Sequence, residues 1–173
     1  AAVEAGYSVA LADDTKTPQG QAWFVSHAAF DVRLTSAVDA AKFADVIVLG
    51  GTWEALLSSA ELKAAAGHGL TKHKVVLDLT YAAATLKQTP LPILSPANPP
   101  HADLSVLKKL LSDSKLAKAC NAQNLTPSTP YDHQLPSADV WITTDNTEAK
   151  EVVRRLFIDM GWKPENVLEL AAH

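Results

Sequence analysis

The sequence predicts an α/β fold in which helices cover both faces of a doubly wound parallel sheet. Three observations carry this. Strand-like and helix-like segments alternate from end to end, the pattern of parallel strands joined by right-handed crossover helices. The run Val46-Ile47-Val48-Leu49 is continuously apolar rather than alternating, which suits a strand covered on both faces, and residues 74–79 (KVVLDL) read as a second buried strand. Finally, 173 residues with 47% hydrophobic content are enough for one well-packed domain. No internal repeat or second domain is legible, so residues 1–173 read as a single domain.

Residues 1–6 have the composition of a helix tail meeting a C-cap glycine, Gly6. Residues 7–12 (YSVALA) form a short β-rich run closed by Asp13-Asp14. A loop around Pro18, a short helix over 21–29 and a short strand over 31–34 follow. Ser36 is placed to N-cap a helix that runs to Phe43. The 46–49 strand meets Gly50-Gly51 directly, with Thr52 as an N-cap candidate. Residues 53–66 read as one helix, ended by Gly67-His68-Gly69. Residues 82–100 hold five of the ten prolines and read as a long surface excursion. An amphipathic helix over 103–111 precedes a strand over 116–120 (LAKAC) and a second proline-rich loop over 124–136. Residues 140–143 (VWIT) read as a strand. The clearest helix spans 147–160, with Val152, Val153, Leu156 and Phe157 at helical spacing. Gly161 ends it, and a final short strand follows.

The composition excludes several classes. Net charge is −4 and the basic residues are scattered; Lys108-Lys109 and Arg154-Arg155 sit among leucines at helical spacing, as solvated helix faces do. Nucleic acid is therefore not the expected partner. No apolar run approaches the roughly 20 residues of a membrane helix, so membrane insertion is not expected. One cysteine, Cys120, rules out an internal disulfide and fits the cytoplasm or another reducing compartment. The six histidines have no metal-site spacing, and no phosphate loop, nucleophile elbow or carboxylate pair is present.

In a doubly wound sheet, ligands bind beyond the carboxyl ends of the strands. The residues to examine are therefore Asp13-Asp14, Gly50-Gly51-Thr52-Trp53, Thr80-Tyr81 and Ala119-Cys120-Asn121. An acid at the end of the second strand of a dinucleotide fold accepts hydrogen bonds from the adenosine ribose and repels a 2′-phosphate, favouring NAD over NADP. Asp13 and Asp14 either do this or simply begin a loop. Gly50-Gly51 either let backbone approach a ligand closely or form a plain strand-to-helix turn. Trp53 either covers the site or packs. Cys120 has no evident base beside it and does not read as a nucleophile.

With those residues in place, the chain resembles the deazaflavin (coenzyme F-420)-dependent NADP oxidoreductases. The family's second-strand pattern "aeaGheVtvansR" is similar to residues 5–14. Its "aDvVvlavPw" is similar to residues 44–53, and its "gKvviDatNp" to residues 74–81. Its "vvKAfNt" is similar to residues 116–121, and its "gdDaeAKatvaaLvedlGfrpvd" to the stretch from Thr144 to Pro164. The resemblance implies a Rossmann-type NAD(P)-binding domain. Against it, a serine and an arginine that hold the 2′-phosphate are replaced by Asp13 and Asp14, a proline by Thr52 and an asparagine by Tyr81.

The family's first strand and glycine-rich turn have no counterpart in these residues. That strand would lie at the centre of the sheet, between the second and fourth. Unpaired buried backbone groups cost about 1–3 kcal/mol each, against a net stability of ~5–15 kcal/mol. The expectation is that the strand comes from upstream in the same polypeptide rather than from another one.

The resemblance implies hydride transfer between NADP or NAD and a flavin-like or deazaflavin acceptor, in a homo-oligomer or as a subunit of a complex. Asp13 or Asp14 would hold the adenosine ribose. Gly50, Gly51, Thr52 and Trp53 would flank the pyrophosphate and the nicotinamide ribose, and Thr80, Tyr81, Ala119, Cys120 and Asn121 would line the nicotinamide side. The alternative is a non-catalytic domain of the same fold, serving as a scaffold or assembly subunit. Nothing in the residues names a catalytic group.

Overall fold

A computed structural model describes residues 2–12, 32–80, 104–120 and 139–170. Strands β1 (Val9–Ala12) and β2 (Val32–Thr35) form a parallel pair. Strands β3 (Val46–Leu49), β4 (Val75–Asp78), β5 (Lys115–Cys120), β6 (Val140–Thr143) and β7 (Val167–Leu170) form a second sheet in that order. The helices are α1 (Ala37–Phe43), α2 (Trp53–Ser58), α3 (Ala60–Gly67), α4 (Ser105–Leu110) and α5 (Thr147–Asp159). A 3-10 turn, Pro164–Asn166, leads into β7. The expected alternation of strands and helices holds, and the fold is mixed α/β with a mostly parallel sheet.

Local chemistry explains most boundaries. Ser36 caps α1, its hydroxyl accepting from Asp39 N. Asn146 caps α5 in the same way through Ala149 N. Gly161, at φ 108°, closes α5: its own N–H donates to Ile158 O while Trp162 N–H donates to Phe157 O, a Schellman ending that needs a left-handed residue. Residues 2–6 form a turn with the same paired bonds, Gly6 N to Val3 O and Tyr7 N to Ala2 O, as a helix C-terminus would.

Three expectations are corrected. Residues 53–66 are not one helix. Ser59 leaves helical geometry at ψ 113°, and its Oγ accepts from Leu62 N, so it ends α2 and caps α3. The sheet is not wholly parallel either, because β6 runs antiparallel to β5. A parallel return would need a crossover, usually a helix, whereas an antiparallel one does not. Finally, β3 is not covered on both faces. Leu49 is buried, but Val48 is 50% exposed. Among the described residues β3 pairs only with β4, and β1 only with β2.

Two apolar layers flank the larger sheet. On one face Val153, Ala149 and Phe157 of α5 pack on Val75, Leu77, Ala117, Ala119, Val140 and Ile142. On the other, Leu56, Leu62 and Leu107 from α2, α3 and α4 pack on Leu49, Val76 and Leu116. Alternating side chains of β4 thus enter opposite layers, and all four of its residues are buried. Lys74 joins α1 to the start of β4. Its Nζ donates to the carbonyls of Ala41 at 2.6 Å and Ala44 at 2.7 Å, at the end where the α1 carbonyls lack partners. No helix among the described residues is long and apolar enough to cross a membrane.

A surface tie joins the N-terminal turn to α5. Tyr7 Oη donates to Asp159 Oδ2 at 2.7 Å, and Arg155 Nε donates to the same oxygen at 2.8 Å. The bond from Arg155, then that from Tyr7, holds the Asp159 carboxyl below its ordinary range, and the bond to Asp159 raises the Tyr7 phenol. A lowered carboxyl contributes stability above its unfolded value and loses it as pH falls through the lowered one. A raised phenol contributes below its unfolded value and loses it as pH rises through the raised one. The tie should therefore hold between the acid carboxylate range and the alkaline phenol range. In a tyrosinate absorbance titration, Tyr7→Phe should remove a phenol that ionises above the ordinary tyrosine range. Loss of an ordinary or early one would show that the tie does not form.

Candidate functional site

The register lines up three strand ends. Leu49 of β3 pairs with Asp78 of β4, and Asp78 pairs with Lys118 of β5, so the three residues form one row across the sheet. Just beyond it, at the carboxyl end of β3, stand Gly50 and Gly51. Gly51 has φ 90°, which favours glycine. A Cβ built on either glycine would meet nothing within 4 Å. The strand end therefore presents bare backbone to open space. Leu79 N donates to Leu49 O at 2.8 Å, which extends the ladder past Asp78 and holds the β4 exit beside these glycines.

Thr52 caps α2, its Oγ1 accepting from Ala55 N at 3.2 Å. Trp53 opens that helix, half-buried against the layer containing Leu49, Leu56 and Val76. Its ring centroid lies 5.9 Å from Lys118 Nζ, within reach of a cation–π contact.

Behind the glycines lies a closed polar knot. Lys118 is 3% exposed and Asp78 1%. Lys118 Nζ donates to Asp78 Oδ2 at 2.7 Å and to the Thr80 carbonyl at 3.4 Å. Asp78 Oδ1 accepts from Thr80 N at 2.8 Å and from Thr80 Oγ1 at 2.6 Å, an Asx-type turn. Thr80, itself buried, is thus held through its N–H, its hydroxyl and its carbonyl.

The structure gathers Gly50, Gly51, Thr52, Trp53 and Thr80 at one edge. Ala119 is buried in the opposite layer, with Leu77 and Ile142, so its side chain is part of the core under α5. Cys120 ends β5 and pairs with Trp141. Asp13, Asp14, Tyr81 and Asn121 lie outside the described residues. Asp78 and Lys118 escaped the sequence reading, which took only residues following the strands. A signal was available: each is a charge inside an otherwise apolar run, and such residues are almost never fully buried unless paired. Among the described residues no three His, Cys, Asp or Glu side chains converge as a metal site.

The donor set suits a ligand that needs close backbone approach and a rigid wall. Bare backbone at Gly50-Gly51 stands open, with no atom near it to block an approaching ligand. Every polar group of the knot beside it is already bonded, so the knot supplies shape and not a proton donor.

No family model matches the sequence, and no curated protein matches it. Solved structures do match the fold. A protein described as an F-420-dependent NADP reductase from Arthrobacter sp. FB24 superimposes with a TM-score of 0.65 at 20% identity, over 98% of this chain and 76% of that one. A hypothetical protein from Sinorhizobium meliloti matches with a TM-score of 0.59 at 15% identity, over 97% and 74%. An imine reductase from Streptomyces aurantiacus matches with a TM-score of 0.65 at 12% identity, over 98% of this chain and 49% of its own. The chain has the Rossmann-type fold of these proteins, and the likeness expected from its motifs holds at that level.

Proposed function

We propose that this chain is the dinucleotide-binding part of an NAD(P)-dependent oxidoreductase that passes hydride between a nicotinamide and a flavin-like or deazaflavin acceptor. The observation that carries the reading is the open backbone of Gly50-Gly51, set against the rigid Asp78–Lys118–Thr80 knot at the carboxyl edge of the sheet. That is where such folds bind dinucleotides. The likeness in fold to reductases supports the same reading. The nicotinamide supplies the hydride chemistry; the chain's part is to position it and to keep water away. This agrees with a site whose polar groups are bonded to one another.

In this reading Gly50 and Gly51 let the pyrophosphate approach the main chain. Trp53 and Thr80 wall the nicotinamide ribose side, with Tyr81, Cys120 and Asn121 beyond them. Asp13 or Asp14 takes the adenosine ribose and sets the choice between NAD and NADP, because a carboxylate there repels a 2′-phosphate.

Calorimetric titration of the full-length protein with NADH and NADPH tests this. Saturable binding of either at micromolar levels is expected, with NADH the tighter. No binding of either up to millimolar levels would overturn it and favour the non-catalytic scaffold.

A further inference from the structure

We propose that Lys118 is a positioning residue for the nicotinamide half of the dinucleotide, its buried ammonium tying the carboxyl ends of β4 and β5 to the ring of Trp53. The inference rests on the reading of the site given above and adds to it the residue that holds the wall in place.

The observations are geometric. Lys118 lies inside β5, a strand otherwise lined by Leu116, Ala117 and Ala119 in the core. Its ammonium reaches three elements at once: Asp78 Oδ2 at the end of β4, the Thr80 carbonyl beyond it, and the Trp53 ring at the start of α2. Asp78 closes the circuit by accepting twice from Thr80. Nothing in the knot faces outward for a proton to use.

A buried ion pair is a poor source of stability. Apolar side chains of the same volume often do as well or better. An apolar pair cannot, however, fix a backbone carbonyl and an aromatic ring in one orientation. Hydrogen bonds and a cation–π contact are directional, and leucine packing is not. Trp53 and Thr80 flank the open backbone of Gly50-Gly51, so the knot sets the shape of that edge before any ligand arrives. A preorganised wall lowers the ordering cost of binding. The benefit falls only on the part of the ligand that touches it.

The test compares the full-length wild type with the double variant Asp78→Asn/Lys118→Met. Asparagine retains an acceptor for Thr80 N and Oγ1, and methionine retains the volume, so the tether alone is removed. The melting temperature should stay close to that of the wild type. The Kd for the preferred dinucleotide, NADH or NADPH, should rise about tenfold, the weight of roughly 1.4 kcal/mol, while the Kd for AMP, which lacks the nicotinamide half, stays unchanged. In fluorotryptophan-labelled protein without ligand, the fluorine resonance lost in Trp53→Phe should shift or broaden in the double variant, while that of Trp162 stays put. Asp78→Asn/Lys118→Leu, a second pair without the ammonium, should reproduce the selective loss and covers the case of a first double variant that folds poorly.

An equal loss of AMP and dinucleotide affinity would overturn the assignment, as would unchanged dinucleotide affinity with an unmoved Trp53 signal. A wild type that binds neither dinucleotide would instead bring down the reading of the site, and this assignment with it.

Discussion

Replacing Lys118 alone by methionine should lower the stability of the fold by about 3–5 kcal/mol. The loss does not measure the strength of the ion pair. It measures what happens to the partner left behind. Asp78 is 1% exposed, and its Oδ2 faces Lys118 Nζ. With the ammonium gone, that oxygen has no donor and no water, and a buried unpaired carboxylate is among the most costly groups a core can hold. Against a total stability of ~5–15 kcal/mol, such a loss leaves little margin. Adding Asp78→Asn to the same protein should return most of it, because a neutral amide needs no counter-charge. Urea unfolding of the two variants, with m-values equal to the wild type, gives both numbers. A loss below about 1 kcal/mol in the single variant would mean that water reaches Asp78, and the pair would then behave as an exposed one.

Phe157→Ala should cost a similar amount, about 3–5 kcal/mol. Phe157 is 6% exposed, on the face of α5 that meets the sheet, among Val75, Leu77, Ala117, Val140 and Ile142. Its ring also meets Trp162 edge-on, with centroids 5.3 Å apart and planes at 81°. Such aromatic pairs add about 0.5–1.5 kcal/mol beyond area alone. Among the described residues α5 is the helix that covers this face, packing on β4, β5, β6 and β7. Removing the ring leaves a void that rigid strands on one side and a capped helix on the other cannot close. Glu151→Ala, on the exposed side of the same helix, is the control and should fall within about ±0.5 kcal/mol. A Phe157 variant no weaker than that control would show that the layer repacks freely.

Both predictions turn on residues that were legible to different degrees. Phe157 declares itself, because with Val152, Val153 and Leu156 it lies at helical spacing ahead of a terminating Gly161. Caps, apolar periodicity and glycine stops are local, acting within four or five residues of chain. The strands were equally plain: each of the seven seen coincides within a few residues with an apolar or β-rich run. Of the site, the part that follows directly from strand ends was readable: Gly50-Gly51 after β3, Thr52 as a cap and Thr80 after β4. Asp78 and Lys118 were not. Each looks like an isolated charge in its own strand until the two strands lie side by side.

Among the described residues, the sequence by itself therefore determined the strands, the helices other than the break at Ser59, and several of the caps that bound them. These follow from spacing and local backbone chemistry. Only the tertiary structure decided that β6 turns back antiparallel to β5, that Val48 stands half-exposed at the rim of β3, and that Ala119 faces the core under α5. It also decided that Lys118 meets Asp78, 40 residues away, beneath the ring of Trp53. The physical reason is common to all of these. Strand direction, burial and ion pairing depend on what lies across the sheet. That neighbour is set by the packing of distant segments, and no window of adjacent residues contains it.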